Sequence, residues 1–280
     1  MKQTGIATIF VGLLLVCNAQ KAEENFYKGV EAVKQLRYTE AISYFSRAIK
    51  SDSKLTEAWY NRALTKSKLN YFNSAIEDYS IAISLDPSMA KAYLNRGADL
   101  KETGHIKNAI ADYTKAIEID SAYILAYYNR GIIYYQLHNY QKALADFGKA
   151  VVLDSAMTDG WYNLGLVCKK LQQKEKAIRY FSKVIVMNPK HDKAIKQRAV
   201  CFLQAADYNN AIADLKQILL LNENDCEAWM LLGSLAQELN AIGEERIILA
   251  KAKALGCTTN EKPVELFAQA DTKQQLPKDK

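Results

Sequence analysis

Residues 56–89 read TEAWYNRALTKSKLNYFNSAIEDYSIAISLDPSM, and residues 90–123 read AKAYLNRGADLKETGHIKNAIADYTKAIEIDSAY. Laid one under the other, they match in residue type at an offset of 34. Carried outward, the same frame starts seven times, at Ala22, Thr56, Ala90, Ile124, Thr158, Asp192 and Cys226. Its eighth place holds Gly29, Ala63, Gly97, Gly131, Gly165, Ala199 and Gly233; its twentieth holds Ala41, Ala75, Ala109, Ala143, Ala177, Ala211 and then Glu245. Four places further on stand Phe45, Tyr79, Tyr113, Phe147, Phe181, Leu215 and Leu249, and place 27 holds Ala48, Ala82, Ala116, Ala150, Val184, Ile218 and Ala252. Four aligned columns at one period are the mark of a repeat array.

Each block reads as two amphipathic helices, with places 4, 7, 11, 24 and 28 taken as the apolar positions at three- and four-residue spacing. Places 8, 20 and 27 stay small, as expected where two helix backbones approach closely and a larger side chain would overpack the contact. Asn70, Thr103-Gly104-His105, His138-Asn139 and Asp207 interrupt the first helix from the second. Asp86-Pro87, Asp120-Ser121, Asp154-Ser155 and Asn188-Pro189 close the blocks, where an acid or amide caps and proline stops the helix. The fold class is therefore all-α.

These columns resemble the tetratricopeptide repeat family, with a large residue at place 4, Gly or Ala at 8, Ala at 20, an aromatic at 24, Ala at 27 and Pro at 32. The resemblance covers residues 22–259 and departs from the pattern at Asn25, Ile195, Glu245 and Cys257. It implies a right-handed superhelical solenoid of seven antiparallel helix pairs, whose end repeats act as caps and need an outer face that tolerates water. It also implies that first helices line a concave groove through places 2, 5, 6, 9, 12 and 13. Place 6 then carries a carboxamide ladder of Asn61, Asn95, Asn129 and Asn163, extended by Gln197. Amides of this kind either hold an extended peptide backbone without asking for a sequence or bond neighbouring helices. Place 5 adds Phe26, Tyr60, Leu94, Tyr128, Tyr162, Lys196 and Met230, and aromatics there are good binding anchors. The candidate contact residues are Tyr60, Asn61, Asn95, Tyr128, Asn129, Tyr162 and Asn163. Family members that grip acidic chaperone tails use five basic and amide places; Asn61 and Lys91 fit two, but Phe26, Val30 and Asn95 occupy the others, so the partner expected is a protein or peptide of another kind.

The first 19 residues read as a signal peptide: Lys2, an apolar run over residues 6–16, and Cys17-Asn18-Ala19 before a cleavable bond. The run is shorter than the roughly 20 residues a bilayer span needs. Lipidation at Cys17 is the alternative and the sequence's one route to a membrane, although Leu14-Leu15-Val16 lack the small residue that bacterial lipoprotein processing wants. The expected location is the periplasm or cell surface. Of the remaining cysteines, Cys168 and Cys201 fall at apolar places and read as buried thiols. Cys226 and Cys257 fall at the same end of one hairpin and are candidates for a disulfide in an oxidising compartment.

With 37 basic and 31 acidic residues the formal charge is +6, spread over all blocks as solvated helix faces usually carry it. That argues against nucleic acid, which wants a dense basic stripe with stacking aromatics. His105, His138 and His191 fall in turns without a partner acid or nucleophile, and no phosphate loop, nucleophile elbow or metal motif occurs. No enzyme activity and no cofactor are expected. In the tail, residues 260–280, Val264-Glu265-Leu266-Phe267-Ala268 after Pro263 reads as a short helix covering the face of the seventh repeat, and the polar remainder as disordered. The expected role is an exported interaction scaffold; the alternatives are a periplasmic assembly factor or chaperone, and a self-associating structural module.

Overall fold

The computed structural model describes residues 2–239, 248 and 250–257. Among these there is no strand. The chain divides into two compact units, Met1–Ile133 and Tyr134–Lys280.

The first unit holds α1 (Lys2–Lys34), α2 (Tyr38–Ser51), α3 (Thr56–Lys68), α4 (Phe72–Leu85), α5 (Ala90–Glu102), α6 (Ile106–Ile119) and most of α7 (Ile124–Gln136). Helices α1 and α2, α3 and α4, and α5 and α6 pack as hairpins, and each hairpin packs on the next. The second unit takes over inside α7 and continues with α8 (Tyr140–Leu153), α9 (Thr158–Lys170), α10 (Lys174–Met187), α11 (Asp192–Gln204), α12 (Tyr208–Leu221) and α13 (Cys226–Glu238). It stacks in the same manner, from α8 through α13. The architecture is that of an all-helical repeat solenoid.

Turn chemistry is uniform. Each of the first six repeats follows its first helix with a residue in the left-handed region: Leu36, Asn70, Gly104, His138, Gln172 and Ala206, with φ between 56° and 82°. That conformation reverses the chain into the second helix. The second helices of these six repeats end on Asp52, Asp86, Asp120, Asp154, Asn188 and Asn222, whose side-chain oxygen accepts the N–H two residues on at 2.8–3.1 Å. Place 4 then locks this turn: the indole N–H groups of Trp59, Trp161 and Trp229 donate to the carbonyls of Ser53, Ser155 and Glu223 at 2.8–2.9 Å.

The small residues at place 8 meet an aromatic ring in addition to the backbone approach expected. A Cβ built on Gly165 would lie 2.5 Å from Cε1 of Phe181, and one on Gly97 would lie 2.9 Å from the Tyr113 ring. The aromatic at place 24 of the same repeat packs against the first helix there, so ring volume, as well as helix approach, keeps the place small. Phe45, Tyr79, Tyr113 and Phe181 are accordingly buried to 1% exposure or less.

The expectation that charge sits on solvated faces is overturned at places 7 and 23. Arg62 donates to both carboxylate oxygens of Asp78 at 2.7 Å and to Ser46 Oγ at 3.0 Å. Arg96 repeats this with Asp112 and Ser80, and Arg198 with Asp214 and Ser182. The three aspartates are buried. A fork of this kind matches a carboxylate in plane and fixes helix register as well as attraction. Its hydroxyl comes from the preceding repeat, so each set ties two repeats together.

Cys168 and Cys201 are free and buried, as expected, and burial pushes the Cys201 thiol up to about 11. Cys226 and Cys257 form a disulfide with 5.4 Å between their Cα atoms, joining the start of α13 to the end of the seventh repeat. Glu245, Leu249 and the expected helix over Val264-Glu265-Leu266-Phe267-Ala268 lie outside the described residues.

Candidate functional site on the first-helix faces

Places 2, 5 and 6 share one side of each first helix, because three- and four-residue spacing brings side chains onto the same face. In the first unit this face is tightly wired. Tyr60 is 9% exposed; its ring lies 5.9 Å from Tyr79 and its hydroxyl accepts from Asn95 Nδ2 at 2.9 Å. Burial pushes the Tyr60 phenol up to about 12. Lys91 Nζ stands 4.5 Å over that ring and 3.2 Å from Glu57 Oε2. Asn61 Nδ2 donates to the carbonyl of Glu57 at 2.7 Å. Both carboxamides thus spend an N–H on their own scaffold, while neither Oδ1 accepts a hydrogen bond among the described residues. Tyr128 and Asn129, on α7, are half-buried.

In the second unit Tyr162 and Asn163 are likewise half-buried on α9. The Tyr162 ring lies 5.8 Å from Phe181 and 5.3 Å from His191, and partial burial raises its phenol. His191 is the N-cap of α11, its Nδ1 accepting from the Ala194 N–H at 3.1 Å, which leaves Nε2 for the proton of the neutral ring. Further along this unit Lys169 donates to Gln197 at 2.6 Å, and Lys196 sits between Asp225 at 2.7 Å and Glu227 at 3.1 Å. The face is aromatic at Tyr162 and charged beyond it.

Sequence profiles of the family match this chain over four stretches: one described as tetratricopeptide repeat over residues 56–89, one of the same description over 124–156 and 158–191, and one described as TPR repeat over 99–138. The chain is a tetratricopeptide repeat protein. Solved structures agree in fold. The C-terminal part of a TPR repeat-containing protein from Cytophaga hutchinsonii aligns with a TM-score of 0.74 at 18% identity, over 87% of this chain and 98% of that one. A tetratricopeptide repeat protein from Parabacteroides merdae gives 0.61 at 20% identity, over 90% and 99%. YrrB, described as a TPR protein with an unusual peptide-binding site, gives 0.60 at 22%, over 66% and 95%. No match was found among curated proteins. Repeats of this family serve as protein-interaction scaffolds, and this tetratricopeptide repeat protein carries the same framework.

What the column reading missed are pairs rather than places. Arg at place 7 with Asp sixteen residues later, and Ser or Thr sixteen earlier, recurs at Arg62, Arg96 and Arg198, and Arg130 donates to Thr114 at 2.9 Å in the same way. The signal was present as a correlation between columns. The clasp of Tyr60 and Asn95 needed the structure, since the two residues stand 35 apart in sequence.

Proposed function

We propose that this tetratricopeptide repeat protein is a non-enzymatic scaffold that holds an extended protein segment against its first-helix faces. The observation that carries this reading is the oriented amides of repeats two and three. Asn61 and Asn95 are each fixed through Nδ2, with Oδ1 left to accept a backbone N–H from a partner chain. Tyr128 in the first unit and Tyr162 in the second supply half-buried rings, whose large area and few rotatable bonds suit recognition. Lys91, the one basic residue that fits an acidic-tail clamp, is occupied by Glu57 and the Tyr60 ring, which argues against an acidic chain end as partner.

The reading includes export to a bacterial periplasm or cell surface, with residues 1–19 as a cleaved signal. The Cys226–Cys257 disulfide supports it, since such bonds persist in oxidising compartments. N-terminal sequencing of protein recovered from the cell envelope tests this: a mature start near Gln20 is expected, and an intact Met1 in a soluble cytosolic fraction would sink it.

The binding reading is tested unit by unit. Tyr128→Ala/Asn129→Ala and Tyr162→Ala/Asn163→Ala are made separately and used to capture partners from the envelope. Loss of a captured partner from either variant, with helicity and melting nearly unchanged, is the expected result. A partner retained by both folded variants would move the function elsewhere. A second reading, self-association through second helices, is favoured by Val152, Val186 and Leu220. These are 77–88% exposed at place 29, where repeats one to three carry Lys50, Ser84 and Glu118. Sedimentation on dilution separates the two.

A further inference from the structure

The groove between one repeat's second helix and the next hairpin has a repeating floor, formed by place 25 of one repeat and places 7 and 23 of the next. In the first unit, between repeats two and three, that floor is Ser80, Arg96 and Asp112, joined by hydrogen bonds. In the second unit the corresponding groove between repeats six and seven carries Lys216, Leu232 and Ile248. All three members of the polar set have changed together, and what remains is an apolar cavity of about 260 Å³. Its walls are Ile212 and Leu219 on α12, Trp229 and Leu235 on α13, and Leu239 at the C-cap of α13. The groove between repeats four and five has also lost the set, to Gly148, Leu164 and Tyr180, but there the large Tyr180 ring packs 5.8 Å from Trp161. Ile248 is smaller and leaves the space.

We propose that the occupant is the chain's own segment Val264-Glu265-Leu266-Phe267, with its apolar side chains in the cavity and Glu265 against Lys216. The disulfide is the first argument. It pins Cys257 to Cys226, the first residue of the helix that supplies much of the cavity wall. Val264 lies seven positions after Cys257, a reach of about 23 Å when extended, whereas α13 is about 20 Å long. Every part of the cavity is within range of the tether, so the segment is held at high local concentration. Chemistry is the second. Between Cys257 and Lys280 the aliphatic and aromatic residues concentrate in Val264, Leu266 and Phe267, and the acid among them meets exposed Lys216, the single charged residue of the lining among the described residues. Size is the third: an apolar cavity of about 150 Å³ takes one benzene ring, so this one accommodates a phenylalanine ring with an aliphatic neighbour.

The test uses the full oxidised chain with a photo-crosslinking phenylalanine analogue at position 267. Crosslinks within one chain to peptides carrying residues 212–219 or 229–239, at a yield independent of dilution, are expected. Crosslinks to a second copy that grow with concentration, or crosslinks to another part of the same chain, would overturn the proposal. Charge reversal adds an independent readout. Lys216→Glu is expected to lower the intrachain yield about fivefold, with Glu265→Lys restoring it in the double variant. A yield indifferent to Lys216→Glu would overturn the seating. These sites lie away from Tyr128, Asn129, Tyr162 and Asn163, so partner capture by the first-helix faces stands or falls separately.

Discussion

In repeat three, Arg96 reaches Asp112 at 2.7 and 2.8 Å and Ser80 at 3.0 Å; in repeat five the same three places hold Leu164, Tyr180 and Gly148. Both arrangements are buried, Asp112 at 6% and Leu164 at 2% exposure, and both sit in the same hairpin geometry. The difference teaches that a repeat frame accepts either a satisfied ion pair or an apolar set, provided all members change together. Two charges removed from water need each other and their remaining hydrogen bonds, and an orphan costs more than the pair contributes.

The strongest way to break the comparison is to orphan one partner. Asp112→Ala leaves Arg96 half-buried and uncompensated and is expected to cost about 4 kcal/mol in urea unfolding followed by circular dichroism. Ser80→Gly/Arg96→Leu/Asp112→Tyr, which transplants the set of repeat five, is expected to fall within about 1 kcal/mol of the parent. A triple variant as unstable as the single one would show that repeat five depends on something other than this set.

Next in size is the disulfide of the seventh repeat, whose groove lacks the polar set. Cys226→Ser/Cys257→Ser opens a crosslink spanning 31 residues, and about 3 kcal/mol of local stability should go with it. Repeat arrays lose stability near the lesion. Amide exchange should therefore quicken in α13 and hardly at all in α3 to α6; uniform acceleration would contradict this.

Repeat three also contains a carboxylate that pairs with no cation among the described residues. Asp99 stands at place 10, where later repeats carry Ile133, Val167, Cys201 and Leu235, and it is 5% exposed. Its partner is the Ser67 hydroxyl, and the buried Tyr79 hydroxyl beside them makes no hydrogen bond of normal geometry. Desolvation raises the Asp99 carboxyl from 3.8 to about 6. An acid with a raised folded pKa destabilises the fold where it is ionised. The penalty, about 3 kcal/mol, is therefore complete above about pH 6 and vanishes as pH falls towards 4. Asp99→Asn should be more stable than the parent at pH 8, and the gap should close by pH 4 in paired melts. A gap independent of pH would mean the gain is one of packing.

The smallest effect concerns the turns. Ala206, at φ 56°, occupies the conformation that Gly104 occupies in repeat three at φ 82°. Ala206→Gly is expected to raise stability by about 1 kcal/mol and Gly104→Ala to lower it by a similar amount, read as opposite shifts in urea midpoint.

Much of this was legible because it lies in columns. Helices begin at Thr56, Ala90, Ile124, Thr158, Asp192 and Cys226, where the 34-residue frame begins. The frame gave Gly97 and Gly165 as close contacts but not their neighbour, since the ring that presses on each comes from the following helix. The charged sets stayed hidden because a lone arginine on an amphipathic helix looks solvated; only its pairing sixteen residues away marks it as buried. Of the candidate contacts, Tyr60 and Asn95 are joined by a bond no column could reveal, and Tyr128, Asn129, Tyr162 and Asn163 are half-buried.

The indole bonds of Trp59, Trp161 and Trp229 have a spectroscopic consequence. The chain has three tryptophans, and each is hydrogen-bonded to the turn that precedes its repeat, one in the first unit and two in the second. Three versions of the protein, each retaining one indole, would therefore glow with the integrity of three different junctions. Their emission during a denaturant ramp would record the order in which the array comes apart.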